Sequence, residues 1–166
     1  MATWPLPLET KRLRLRPTRR GDEEWIISLF VDPEVRKYLG GAMTEAEARE
    51  RTQLSDKPLW GHFAITLIET KDAIGSLSFA RKTGPWELSF QLRKDSWGKG
   101  YARETIEAAV NWFFEETGES QVCAFTQTAN ERACRLLERL GAKITEELTY
   151  GNLPVLKYTF VRSPRK

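Results

Sequence analysis

The stretch that most constrains this chain is Ser96-Trp97-Gly98-Lys99-Gly100-Tyr101-Ala102-Arg103-Glu104, where an alternating apolar run gives way within a few residues to a helical pattern. Before it, Trp86-Glu87-Leu88-Ser89-Phe90-Gln91-Leu92 has the two-residue period of a strand, and after it Ala102, Ile106, Ala109, Val110 and Phe113 recur at helix spacing. A glycine turn at such a junction leaves the first amide N–H groups of the helix unpaired, at the positive end of its dipole. Anions settle there, and Gly98 and Gly100, having no Cβ, allow left-handed φ values and close approach to the main chain. Each N–H bond to a charged oxygen contributes about 1.5–3 kcal/mol, so a few of them can anchor a diphosphate without a metal. Two glycines alone are equally the mark of an ordinary turn.

Composition narrows the classes around that turn. The chain has 166 residues, long enough for one domain with a core, and a single domain over 1–166 is expected. It is 40% hydrophobic and 30% charged, with no uninterrupted apolar stretch near membrane-span length. Met1-Ala2-Thr3-Trp4-Pro5 lacks a basic region followed by an apolar core, so a cytoplasmic protein without a membrane partner is expected. Cys123 lies in an apolar run and Cys134 in a helical one, which reads as two free thiols rather than a disulfide framework. His62 is the only histidine, so neither a zinc cluster nor a Ser-His pair assembles easily and no metal is expected. Gly75 to Thr83 superficially suggests a nucleotide P-loop, but Ala80-Arg81 stands where Gly-Lys is needed.

Taken in order, the chain opens with Arg12-Leu13-Arg14-Leu15-Arg16, a strand with one apolar and one cationic face that Pro17 ends. The arginines invite a nucleic-acid reading, yet no RNA-binding aromatic motif lies nearby; an edge strand guarded by charge explains them as well. The net charge of +3 is modest and mixed along the chain, and nucleic acid is not expected as a partner. A helix runs through Trp25, Ile26, Leu29 and Phe30 to Asp32-Pro33, a short segment follows to Leu39, and Thr44 with Glu47 caps another helix from Glu45 to about Gln53. His62 to Ile68 and Ala73 to Phe79 read as a hairpin, and Gln121 to Gln127 as a strand. Thr128 with Glu131 suggests a second capping box ahead of a helix bearing Ala133, Leu136, Leu137 and Leu140, which Gly141 stops; Ile144 to Tyr150 and Pro154 to Val161 close the chain as a hairpin. The order predicts a mixed α/β fold.

The string Trp97-Gly98-Lys99-Gly100-Tyr101-Ala102 resembles the acetyl-coenzyme A loop of the GNAT superfamily of N-acetyltransferases. The family's pattern, Gln or Arg, two residues, Gly, one residue, then Gly or Ala, falls on Trp97, Gly100 and Ala102. Trp97 departs from its first position, as in the RimJ/RimL-like branch that modifies ribosomal-protein N-termini. Glu9 to Pro17 and Asp32 to Leu39 are similar to the start of chains in that branch. Asn130 to Ala142 is similar to Asn-x-x-Ser-x-x-Val-Leu-Glu-Lys-Leu-Gly-Phe. The resemblance implies a single GNAT-like domain with a mixed, mostly antiparallel sheet of about six to seven strands and about four helices. It implies acetyl-CoA as cosubstrate, held by Leu92, Trp97, Gly98, Lys99, Gly100, Tyr101 and Ala102, with Asn130 on the pantetheine arm. Asn130 is on its own also a natural helix cap, and both roles can coexist. Tyr38, Leu39 and Met43 would line the acceptor pocket.

The reaction so implied passes an acetyl group directly to a primary amine in a ternary complex, with Glu87 as the base by family position and a backbone N–H near Ser89 to Leu92, freed by a bulge or splay, as the oxyanion donor. A solvated strand-end acid is the plain alternative for Glu87. An α-amino group of pKa about 8 is roughly one-tenth neutral at pH 7, whereas lysine is neutral about once in 2,500 molecules, so a weak base suits a protein N-terminus best. Aminoglycosides and polyamines remain as small-molecule acceptors. Ala133 and Leu137 stand where relatives carry Ser and Tyr, so no general acid is named; a coenzyme A-binding or regulatory module with little turnover stays open, as does the choice between monomer and homodimer.

Overall fold

Residues that alternate in the sequence alternate across a sheet, and that alternation builds the molecule. The computed structural model describes residues 7–54 and 57–164; the N-terminal stretch read for a leader lies outside them. Among the described residues, eight strands form one sheet in the order β1-β2-β3-β4-β5-β6-β8-β7: β1 (Leu8–Glu9), β2 (Leu13–Pro17), β3 (His62–Leu67), β4 (Ala73–Ala80), β5 (Glu87–Leu92), β6 (Gln121–Gln127), β7 (Lys143–Tyr150) and β8 (Leu153–Val161). Four helices accompany them: α1 (Glu23–Phe30), α2 (Glu45–Arg51), α3 (Tyr101–Thr117) and α4 (Glu131–Arg139). The mixed, mostly antiparallel α/β architecture agrees with expectation, and the strand count is one higher. The extra strand, β1, is two residues long, too short to show a period, and pairs Leu8 with Leu15 and Glu9 with Arg14.

Every neighbouring pair runs antiparallel except β5 and β6. One face of the sheet, through Leu15, Phe63, Leu77, Leu88, Val122 and Tyr158, joins Ile106, Phe113 and Leu137 of α3 and α4 in the main core. Phe79 stacks on Phe113 at 4.7 Å, and Phe63 meets Trp112 edge-on at 4.9 Å. The opposite face carries the intervening residues, and α1 packs against β4; its buried Ile26, Ile27 and Leu29 lie outside that core. The β2 arginines are neutralised locally: Arg12 meets Glu104 at 2.9 Å, Arg14 meets Glu9 at 2.8 Å, and Arg16 meets Asp22 at 2.8 Å. Charge that read as a nucleic-acid stripe is thus spent within the fold.

Helix ends follow their caps, with one correction. The Thr44 hydroxyl accepts from the Glu47 amide at 3.2 Å while the Glu47 carboxylate accepts from the Thr44 amide at 2.9 Å, the expected capping box. The second box, Thr128 with Glu131, does not form. The Thr128 amide is tied to the Pro154 carbonyl at 3.0 Å, so the chain turns once more before α4 begins, and Asn130 becomes the cap, accepting from the Ala133 amide at 3.3 Å. The short segment read from Pro33 to Leu39 takes the form of hydrogen-bonded turns that run on through Gly40.

Candidate functional site

The parallel partnership of β5 and β6 lasts for a single position, Glu87 opposite Cys123, with the Cys123 amide donating to the Trp86 carbonyl at 2.9 Å. Beyond it, toward the ends that lead into α3 and α4, the two strands diverge. On its other side β5 stays in unbroken register with β4 from Ala80 opposite Glu87 to Gly75 opposite Leu92. Of the two sequence alternatives, bulge or splay, the chain therefore uses the splay. Peptide groups alternate in direction along a strand. Trp86 points its carbonyl at β6 and Arg93 donates its amide to Ile74 of β4, so Leu88, Phe90 and Leu92 direct their N–H and C=O groups toward β6. Within Ser89 to Leu92, the amides of Phe90 and Leu92 face the gap, and that of Phe90 lies nearer the point where the strands part.

Gly98 and Gly100 adopt φ of 75° and 81°, the left-handed values that glycine alone takes freely, and α3 begins at the next residue. Among the described residues, no amide from Gly98 to Arg103 donates to a backbone carbonyl; the first such bond runs from Glu104 to Gly100 at 3.2 Å. These outward amides at the start of a 17-residue helix form an anion cradle beside the gap. Trp97 does not aim its donor into it: the indole N–H donates to the Leu92 carbonyl at 3.0 Å, closing a group that the splay would leave open. Lys99 and Ala102 lie along the same turn. The Tyr101 ring carries the Arg12 guanidinium 4.5 Å from its centroid, and Arg12 Nη1 donates to the Lys99 carbonyl at 2.9 Å. Asn130, at the start of α4, spends its Oδ1 on the cap, and its amide NH2 end has no partner among the described residues.

Glu87, Ser89 and Gln91 occupy the face of β5 opposite α3. Burial raises the Glu87 carboxyl above its ordinary range, with Lys82 pulling weakly the other way. The turn at 33–40 crosses this same face. Glu34 pairs with Lys94, just after β5, at 3.6 Å, and the Tyr38 carbonyl accepts from Gln127 Nε2, at the end of β6, at 3.2 Å. The turn thus bridges the two diverging ends. Met43 is half-buried, its amide bonded to the Phe30 carbonyl at 2.8 Å, whereas Leu39 points outward with 39% of its surface exposed. Of the three residues expected to line an acceptor pocket, Tyr38, Leu39 and Met43, Leu39 is the most exposed.

Two features had no local signature. Arg132, in the first turn of α4, holds its guanidinium carbon 5.6 Å from the Trp97 ring centroid, and its Nη2 lies 3.5 Å from where a Cβ on Gly98 would stand. It has no carboxylate partner among the described residues; Glu131 pairs instead with Arg135. In sequence it reads as one more cation on a solvated helix face. Glu104 accepts from the Thr10 hydroxyl at 2.6 Å and from the Arg12 amide and Nε at 3.1 and 2.9 Å. Burial alone would raise the Glu104 carboxyl, but those bonds outweigh it and hold the group ionised. This clamp fixes β2 to the cradle across 92 residues of chain.

Comparison with known proteins agrees with this geometry. Residues 12–143 match the family described as acetyltransferase (GNAT) domain. An uncharacterized N-acetyltransferase p20 of Bacillus licheniformis is 30% identical over 143 residues, covering 81% of this chain and 80% of the relative. The FsC-acetyl coenzyme A-N(2)-transacetylase of Aspergillus fumigatus is 31% identical over 162 residues, covering 87% of this chain and 67% of that protein. Among solved structures, spermidine N-acetyltransferase from Vibrio cholerae in complex with CoA and spermine superimposes with a TM-score of 0.77 at 19% identity, covering 92% of this chain and 96% of that one.

Proposed function

The chain belongs to the GNAT family of acetyltransferases, and from that premise we propose that it transfers the acetyl group of acetyl-CoA to a protein N-terminal amine, in the manner of the RimJ/RimL-like branch it resembles. One observation carries the reading: a cradle of unpaired amides around two left-handed glycines lies beside a gap between parallel strands whose far face holds a carboxylate. The residues fit the cosubstrate. The amides from Gly98 to Arg103 suit a diphosphate, and Arg132, without a carboxylate partner among the described residues, adds a positive charge there. Trp97, Tyr101 and Ala102 wall the turn, the Leu92 end of β5 supports it, and the NH2 end of Asn130 suits the pantetheine arm. Acetyl-CoA supplies a thioester carbonyl. The Phe90 amide is the donor for the oxygen of that carbonyl, and Glu87 takes the proton of the attacking amine directly or through water. Ser89, Tyr38 and Met43 border the acceptor's approach. Alignment of two bound reactants can supply about 10⁵-fold or more, so most of the acceleration is assigned to positioning.

A raised Glu87 pKa makes it a better proton acceptor than an ordinary surface carboxylate, yet it remains weak beside a lysine acceptor. That match favours an α-amine. Polyamines and aminoglycosides are the competing acceptors. Calorimetric titration with acetyl-CoA is expected to show binding that Gly100→Val abolishes, because a β-branched residue is strained at φ 81°. Coenzyme A thiol release should then follow with peptides bearing free N-termini before it follows with spermidine or kanamycin. Wild-type protein that binds no acetyl-CoA overturns the reading, and binding without thiol release marks a module that has lost turnover.

A further inference from the structure

The acceptor face carries a second concentration of charge that the transfer reaction does not use. Arg36, in the turn that bridges the ends of β5 and β6, and Arg51, the last residue of α2, both lie against the Phe30 ring, their guanidinium carbons 5.7 and 5.8 Å from its centroid. Arg36 is half-buried and spends only its Nε, donating to the Gly41 carbonyl at 3.1 Å. Among the described residues no carboxylate pairs with either side chain.

The absence is selective. Arg49, two residues before Arg51, holds Glu24 at 2.9 Å and Glu45 at 2.8 Å. Glu34 is drawn to Lys94, Glu47 to the α2 cap, and Asp32 to the Glu34 amide. These acids are thus committed elsewhere, and two like charges are left side by side on an apolar ring. Burial, and secondarily the charge of Arg51, disfavours the protonated form of Arg36, so the pairing costs free energy that an arriving anion would recover. Guanidinium forks match carboxylates in bidentate geometry, and a partly desolvated pair of them is selective for that shape.

Position gives the pair its meaning. Arg36 lies between Glu34 and Tyr38, the two residues that anchor the turn beside β5 and β6, on the face of the sheet that carries Glu87. The cradle, α3 and α4 occupy the other face, so an anion reaching Arg36 arrives with the acceptor. Resting on the acetyltransferase reading above, we propose that Arg36 and Arg51 bind a carboxylate of the acceptor, so that the accepted N-terminal amine has a carboxylate within reach, a pairing for which amino acids and short peptides are the minimal mimics.

The test is steady-state thiol release from acetyl-CoA with matched acceptors, alanine, β-alanine and trialanine, each against its own carboxamide, on wild type, Arg36→Met and Arg51→Met. The three spacings sample the distance from amine to carboxylate. Wild type should favour at least one acid over its amide by about tenfold in kcat/KM, through KM, and both variants should bring that ratio toward one. Arg51 is exposed, so its variant carries the test even where loss of the Arg36–Gly41 bond disturbs the turn. Independently, titration of the wild type with glutarate should shift the Nε–H resonances of Arg36 and Arg51 saturably, and Arg36→Met should lose the Arg51 response. Turnover with no preference for any acid, or no response to glutarate, overturns this inference alone. A KM change confined to acetyl-CoA assigns the pair to the cosubstrate's phosphates and also overturns it. No thiol release with any amine overturns the acetyltransferase reading, and this inference falls with it.

Discussion

Glu87 is half-buried at the one position where β5 pairs with β6, and its environment sets the pH behaviour expected of the enzyme. As the proposed base, Glu87 acts unprotonated, so the rate should fall as pH drops through a pKa raised above the usual range for glutamate. Above about pH 8 an N-terminal amine sheds its proton unaided. Glu87→Gln should therefore cost about 10²-fold or more in kcat/KM between those limits and converge on wild type above them, in a profile measured with one peptide acceptor. Structural damage would give a different signature. Because burial raises the folded-state pKa, any stability that Glu87 contributes belongs to its protonated form and is lost as pH rises, so the glutamine variant should unfold no earlier than wild type at pH 7. Arg132 belongs to the same scale. Arg132→Met keeps a long apolar stem on Trp97 and removes the charge, and calorimetry should show acetyl-CoA binding weakened about tenfold, with less dependence on salt.

At the scale of elements, the cradle depends on how tightly β4 and β5 approach. Gly75 lies opposite Leu92, and a Cβ there would sit 2.2 Å from the Gln91 carbonyl oxygen and 2.6 Å from Leu92 Cδ2. No rotamer relieves a backbone clash. Gly75→Ala should lower stability by about 1–3 kcal/mol in denaturant unfolding, and should weaken acetyl-CoA binding as well, because Leu92 carries the carbonyl that fixes Trp97. The elements themselves were legible wherever a period had room to repeat. The hairpins, β6, and α3 with its two glycines follow from alternation, helix spacing and the need for positive φ. What escaped was set by distant segments: the start of α4 moved because Pro154 captures the Thr128 amide, and Arg132 and the Arg12–Glu104 clamp reach the cradle through tertiary packing. How far Leu39 is exposed was equally illegible, since a turn without a period does not reveal which of its side chains points inward.

Across the whole molecule, a sheet of eight strands is joined at its middle by one pairing position. β1 to β5 form one antiparallel group and β6 to β8 another, and the packing of α3 and α4 on a shared core holds the two together. A sheet edge is ordinarily a hazard at the rim of a protein, where its free amides recruit other chains. Here two such edges face each other indoors, sheltered by helices on one side and by the 33–40 turn on the other. The fold has in effect turned its stickiest surface inward, so that hydrogen-bonding groups other proteins hide at their rims are offered here to whatever enters between the two halves.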